Sequence, residues 1–159
     1  MLYRQDEINN WAAAKGIHAN STAEKQFTKL FEEFAELYGA VHNNNVPEIK
    51  DAIGDCYVVL TNIAWFWGLQ EAEPLDELAQ VHPQDVNPTD CLRGILGGFA
   101  DLRWADLLFR VREYQYAMAS FQEVRSHYGF SFEECVDQAV DTILKRTGKM
   151  VDGVFVKDA

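Results

Sequence analysis

The chain has 159 residues, a formal net charge of −11 and 48% hydrophobic residues, enough for one domain with a real core. That acidity excludes binding a polyanion by charge alone, because nucleic-acid binding needs a basic footprint. An anionic ligand would need a cationic intermediary, most simply a divalent metal.

Residues 3–15 read as a short helix ended by Gly16. Ser21-Thr22-Ala23-Glu24 has the form of a capping box, opening a helix to about His42. Leu30, Phe34, Leu37 and Val41 make its apolar stripe. HNNNVP is a loop, with Pro47 suited to a first helical position. The next helix runs to about Phe66, so the pair forms an antiparallel helical hairpin. Residues 68–90 hold Pro74, Pro83 and Pro88, and a short helix fits 75–81. Thr89 is placed to cap a long helix, broken near Gly94 or Gly97-Gly98, that continues through 104–124. A final helix opens at Ser131, with Glu134 completing a second capping box, and reaches about Arg146, where Gly148 stops it. The alternating tail with Asp152-Gly153 predicts a small hairpin or an extended arm. No other sheet is legible. The expected class is all-α, one domain over 1–159.

Cys56, Cys91 and Cys135 form no CxxC or zinc pattern, and their odd number points to reduced thiols. The first ten residues lack the form of a signal peptide. The apolar run 56–69 is shorter than the roughly 20 residues of a membrane span. The expectation is a cytoplasmic protein with no nucleic-acid or membrane partner.

The second helix of the hairpin poses the central question. From Cys56 to Leu69 only Thr61, Asn62 and Gly68 interrupt the apolar run, which predicts burial on nearly all sides. Yet Glu48, Asp51 and Asp55 lead into it. At about 100° per residue, these three fall within roughly a 60° arc, and Glu32, Glu33 and Glu36 on the first helix within roughly a 100° arc. An antiparallel hairpin aims both clusters at one point. A solvated helix face accounts for Glu32 and Glu33 taken alone. Asp55, at the edge of the apolar run, needs a partner. Lys50 lies on another face, and few other basic residues are near in sequence. Converging carboxylates without basic partners repel one another, which Mg²⁺ or Mn²⁺, hard cations that prefer oxygen, would relieve.

Glu32-Glu33-Phe34-Ala35-Glu36 is an EExxE motif, followed by a second acidic helix with Gly54-Asp55 before an apolar run. With the closing stretch KRTGKMVDGVFVK, Lys145 to Lys157, the chain resembles the MazG-like family of all-α nucleoside triphosphate pyrophosphohydrolases, phage-type members in particular. The resemblance covers 20–66 and 131–157 and leaves 68–128 as an elaboration. It implies a MazG-like bundle around the acidic hairpin. It also implies Mg²⁺- or Mn²⁺-dependent cleavage of a (d)NTP to the monophosphate and pyrophosphate, and a homodimer or homotetramer in the cytoplasm of a phage host. Guanine nucleotides, dGTP or GTP, are favoured, with dCTP or a broad dNTP range as alternatives. The family's second helix carries ExxD. Asp55 matches its Asp, but Ala52 stands where the Glu would be. Asp51, one residue back, is on the same face. The implied metal set is therefore Asp51 and Asp55 with Glu33 and Glu36 opposite. Glu48, which forms ExxD with Asp51 one turn earlier, is a further candidate. Glu32 or Glu33 would orient or deprotonate the attacking water.

Lys145, Arg146 and Lys149 sit where the family contacts phosphate, although a helix C-terminus favours such residues anyway. Asp141 either faces the site, as polar residues there often do, or is a solvated helix position. Gln26 and Lys29 precede the acidic motif by one to two helical turns, and Gln26 suits a base edge. Trp11 either stacks on a base or belongs to the core or an interface. Trp65 and Trp67 read as packing, and His18, His42, His82 and His127 as surface residues.

Two other classes compete. No Glu is followed three residues later by His, which counts against a di-iron carboxylate bundle. A non-catalytic helical interaction module would carry the same acids as a solvated face and be indifferent to metal. Cover for 56–69 falls either to the 90–125 helix or to another chain, and the aromatics between 99 and 132 suit an interface or a core.

Overall fold

The computed structural model describes residues 3–69, 87–102, 120–121, 123–125 and 127–158. Within them the chain forms α1 (Gln5–Ala14), α2 (Ile17–Asn20), α3 (Ala23–His42), α4 (Val46–Phe66), α5 (Pro88–Leu102) and α6 (Phe132–Lys145), then a hairpin of β1 (Gly148–Val151) and β2 (Val154–Lys157). The structure is mostly helical, as expected. The helix expected at 75–81, most of the 104–124 helix, and His82 lie outside the described residues. No described helix is long and apolar enough to cross a membrane.

Local chemistry explains most boundaries, with shifts of a residue or so. At α3 the cap is Thr22, whose backbone is extended and whose hydroxyl accepts the Lys25 N–H. The third helical residue is therefore Lys25, and the expected Ser21–Glu24 box does not form. Ser21 instead accepts from Gln26 Nε2 at 3.0 Å. α4 starts at Val46 with Pro47 in its first turn, after a left-handed Asn44. Asn87, not Thr89, caps α5, its side-chain oxygen accepting the Thr89 N–H at 3.0 Å. α5 runs unbroken through Gly94, Gly97 and Gly98. Each glycine costs a helix about 1 kcal/mol, but Leu92, Ile95 and Phe99 are buried at helical spacing and hold the helix together.

The capping box of α6 is complete. Glu134 N–H donates to Ser131 Oγ at 3.1 Å, and Ser131 N–H donates to Glu134 Oε2 at 2.7 Å. Gly148 is not the stop. The helix ends as Arg146 turns to extended backbone, and Gly148 opens β1, where a Cβ would lie 2.3 Å from the Val156 carbonyl oxygen. β1 and β2 pair antiparallel, Gly148 with Lys157 through Val151 with Val154. Asp152 (φ 49°) and Gly153 (φ 82°) make the tight turn that such a pair needs.

α3 and α4 form the expected antiparallel hairpin. Cys56 through Ala64 are all buried. Among the described residues their cover comes from α1, α3 and α6 of the same chain, while α5 packs on α3 through an edge-on contact of Phe99 with Phe34; residues 103–119 of the helix expected to cover them lie outside the described residues. The sequence alone assigned that cover to the later helix or to a second chain. It missed α6 because nothing local shows how closely α6 approaches α4. The approach is set by Gly54, where a Cβ would sit 2.3 Å from the Cys135 carbonyl oxygen and 2.7 Å from Ala139 Cβ. All three cysteines are buried free thiols.

Gly54→Ala is expected to destabilise the protein by about 1–3 kcal/mol in urea unfolding, despite alanine's better helix propensity. Gly39→Ala, where a Cβ meets nothing within 4 Å, is expected to stabilise by about 0.5–1 kcal/mol. Equal effects at the two sites would show that the α4–α6 contact is not tight.

Candidate functional site

Because α3 and α4 run antiparallel from a short turn, residues equally far from Asn44 face one another. Glu33 is opposite Asp55, and Gln26 opposite Asn62. A cleft of about 430 Å³ follows this seam. Glu32, Glu33 and Glu36 line it from α3, and Asp51 and Asp55 from α4. Five of the six carboxylates of the two predicted acidic clusters thus share one cavity. Glu48 does not. It is exposed in the first turn of α4, outside the lining.

The carboxylates do have basic partners, contrary to expectation. Lys29 Nζ lies 2.8 Å from Glu33 Oε1 and 2.9 Å from Glu32 Oε2. Glu33 is only 6% exposed. Burial alone would lower the Lys29 pKa, but hydrogen bonds to Glu33 and Glu32 outweigh it and raise it. Arg146 Nη2 stands 3.6 Å from Asp55 Oδ2. Lys29 was legible as a helical neighbour at three and four residues' spacing, whereas Arg146 arrives only through the fold. Gln138 Nε2 donates to Asp51 Oδ1 at 2.9 Å, tying α6 to the acidic face of α4.

Asp55 remains under-compensated. Burial first, and then the Glu33 charge, push its pKa up to about 6, with Asp51 adding to them and Arg146 opposing. Its carboxylate is therefore held where more positive charge would be welcome. Oxygen-only donors of this kind suit a hard divalent cation. Among the described residues, no three of His, Cys, Asp and Glu are arranged to hold a metal ion as they stand. Glu33 and Asp55 face Lys29 and Arg146 instead.

The other predicted residues divide. Gln26, Lys29 and Arg146 line the cleft. Lys145 and Lys149 are exposed and outside its lining. Asp141 is also outside, because it sits one turn after Asp137 on the stripe facing α1. There Arg4 Nη1 reaches both carboxylates at 3.0 Å. Trp11 is buried and lines the cleft with its ring edge-on to Phe155, centroids 5.6 Å apart, so it is core and site wall at once. Trp67 packs on Phe27. His18 is no ordinary surface residue. It stacks on Trp65 at 3.8 Å, and burial lowers its pKa.

Sequence reasoning missed β2 and Asn62 as parts of the site. Val154, Phe155 and Lys157 line the cleft, and the Lys25 ammonium donates to the Asp152 carbonyl, fastening the hairpin tip to the start of α3. Asn62 was visible as one of three interruptions in the apolar run, but was not read as functional.

No protein-family model matches the chain, and no solved structure matches it. Over 57 residues, 36% of this chain, it is 47% identical to an uncharacterized 18.2 kDa protein from the rep-hol intergenic region of Haemophilus phage HP1. The match spans 35% of that relative's length.

The raised Asp55 pKa fixes a sign. The native state holds this proton more tightly than the unfolded chain, so the group's contribution to stability falls as pH rises from its ordinary 3.8 to about 6. In metal-free buffer, Asp55→Asn is expected to be more stable than wild type by about 1–2 kcal/mol near pH 7, with the gain lost near pH 4. Chemical unfolding at both pH values checks this. A mutant less stable at both would mean that the Arg146 pair outweighs burial.

Proposed function

We propose that the cleft is the active site of a MazG-like, metal-dependent nucleoside triphosphate pyrophosphohydrolase. The observation that carries the reading is the facing of Glu32, Glu33 and Glu36 on α3 with Asp51 and Asp55 on α4 across one cavity, with Arg146 beside them. The resemblance in sequence motifs adds support.

Glu33, Glu36, Asp51 and Asp55 would hold Mg²⁺ or Mn²⁺, after Lys29 and Arg146 give way. When bound there, the cation would supply charge compensation for phosphate oxygens and an acidified water. Arg146, released from Asp55, pairs with a phosphate oxygen, and Lys29 is close enough to its glutamates to do the same when they turn away. The water oxygen bonds to the α-phosphorus as the bond to the α–β bridging oxygen breaks. Pyrophosphate leaves with the electron pair. The water's proton passes to Glu32, whose side chain is 59% exposed, or to Glu33. The apolar end of the cleft, at Val58, Val59 and Phe155, accommodates the base. The motif resemblance favours dGTP or GTP, with dCTP or a broad dNTP range as alternatives, and a homodimer or homotetramer.

The second reading is a non-catalytic helical interaction module. The pairing of Lys29 and Arg146 with the acids favours it, since part of the charge is already compensated without metal.

The eight common NTPs and dNTPs, each with Mg²⁺ or Mn²⁺, separate the two when pyrophosphate and monophosphate are measured. One or two nucleotides are expected to turn over, with a loss of about 100-fold or more in Asp55→Ala, and the metal is expected to raise the melting temperature. No release from any nucleotide and no metal-dependent shift would leave the interaction module.

A further inference from the structure

α4 changes character along the stripe it presents to the cleft. Asp51 and Asp55 come first, then Val58 and Val59, and last Asn62. At about 1.5 Å per residue, Asn62 stands roughly 10 Å beyond Asp55 along the helix axis. Gln26 lies level with it on α3. One end of the cavity is therefore anionic and the other apolar, closed by two carboxamides.

The lining of the cleft holds two buried polar groups without a well-formed hydrogen bond. Asn62 is 2% exposed, and its carboxamide, which lies beside the His18 imidazole, leaves its oxygen buried without a well-aligned hydrogen bond. Trp11 is 8% exposed, and its indole Nε1–H is likewise buried and unpartnered. Both residues line the cleft. Folded proteins leave few such groups unmade, and each one calls for an explanation. One acceptor and one donor between the apolar walls of Ile17, Val58 and Phe155 complement a flat heteroaromatic ring with an N–H and an acceptor on its edge. A bare polyphosphate has no N–H for the Asn62 oxygen and gains nothing from apolar walls.

We infer that Asn62 and Trp11 are the base-reading residues of this cleft: the Asn62 oxygen accepts an N–H from the edge of a nucleobase, and the Trp11 indole N–H donates to a ring nitrogen or carbonyl. Trp11 reads with its edge rather than by stacking, because its ring packs against Phe155. The inference rests on the nucleotide reading of the same site, but concerns recognition and not hydrolysis.

The test uses the common nucleosides, which carry no phosphate to cleave, and inorganic tripolyphosphate with Mg²⁺. Each is titrated into ¹⁵N-labelled protein while the tryptophan indole N–H signals are followed by NMR, that of Trp11 being assigned through Trp11→Phe. At least one nucleoside is expected to shift the Trp11 signal saturably, and tripolyphosphate is not. Asn62→Leu is expected to weaken nucleoside binding about tenfold or more and to leave tripolyphosphate binding within about twofold. No shift of the Trp11 indole with any nucleoside overturns the inference, as does wild-type nucleoside affinity in Asn62→Leu. If that variant does not fold, the wild-type titration decides. Nucleoside binding without pyrophosphate release upholds this inference and sinks the hydrolase, whereas release without an indole shift does the reverse.

Discussion

The contact at Gly54 is the constraint on which the site depends. With no side chain there, the backbone of α6 reaches α4 at Cys135 and Ala139. Polar pairs flank the contact, Lys50 with Glu134 and Asp51 with Gln138. They fix the register of the two helices along their shared face. That register carries the end of α6 to the cleft and brings Arg146 to Asp55. A helix separation larger by one methyl group would move the arginine relative to the acid it neutralises. The glycine that precedes Asp55 in sequence thus governs what Asp55 meets in space.

The cleft is a charged seam let into an apolar core. Glu33 is nearly buried and Asp55 half-buried, and each has one cationic neighbour. Burial of a carboxylate is costly unless it is paired, and the balance differs between the two. Glu33 holds a short contact to Lys29, while Asp55 faces a longer one to Arg146 and feels the Glu33 charge as well. Both basic side chains are long, so a change of rotamer alone would take their charged ends off the acids.

What was legible in the sequence was local or helical in origin. The Ser131–Glu134 box and the Asp152-Gly153 turn formed because their partners lie within a few residues. The facing of Glu33 and Glu36 with Asp51 and Asp55 was legible because a short turn leaves an antiparallel hairpin little choice of register. What could not be read depended on contacts between distant segments. Asp141 is drawn to Arg4, not to the cleft, and Arg146 is singled out from Lys145 and Lys149 only by the way α6 ends. Propensity also misled where packing won, as at the glycines of α5. Asn62 was overlooked because an isolated polar residue in an apolar helix has no pattern, only a location.

The edge-on contact between Trp11 and Phe155 joins the first helix to the last strand. Closing so long a loop is entropically expensive, though the cost grows only slowly with length. In order of synthesis, the acidic seam of α3 and α4 is complete long before α6 and the hairpin exist. A chain folding as it is made would first present carboxylates without Arg146, above an apolar floor without its β2 wall. The cleft is therefore among the last features to mature, and chains interrupted before β2 would carry the acids without the enclosure.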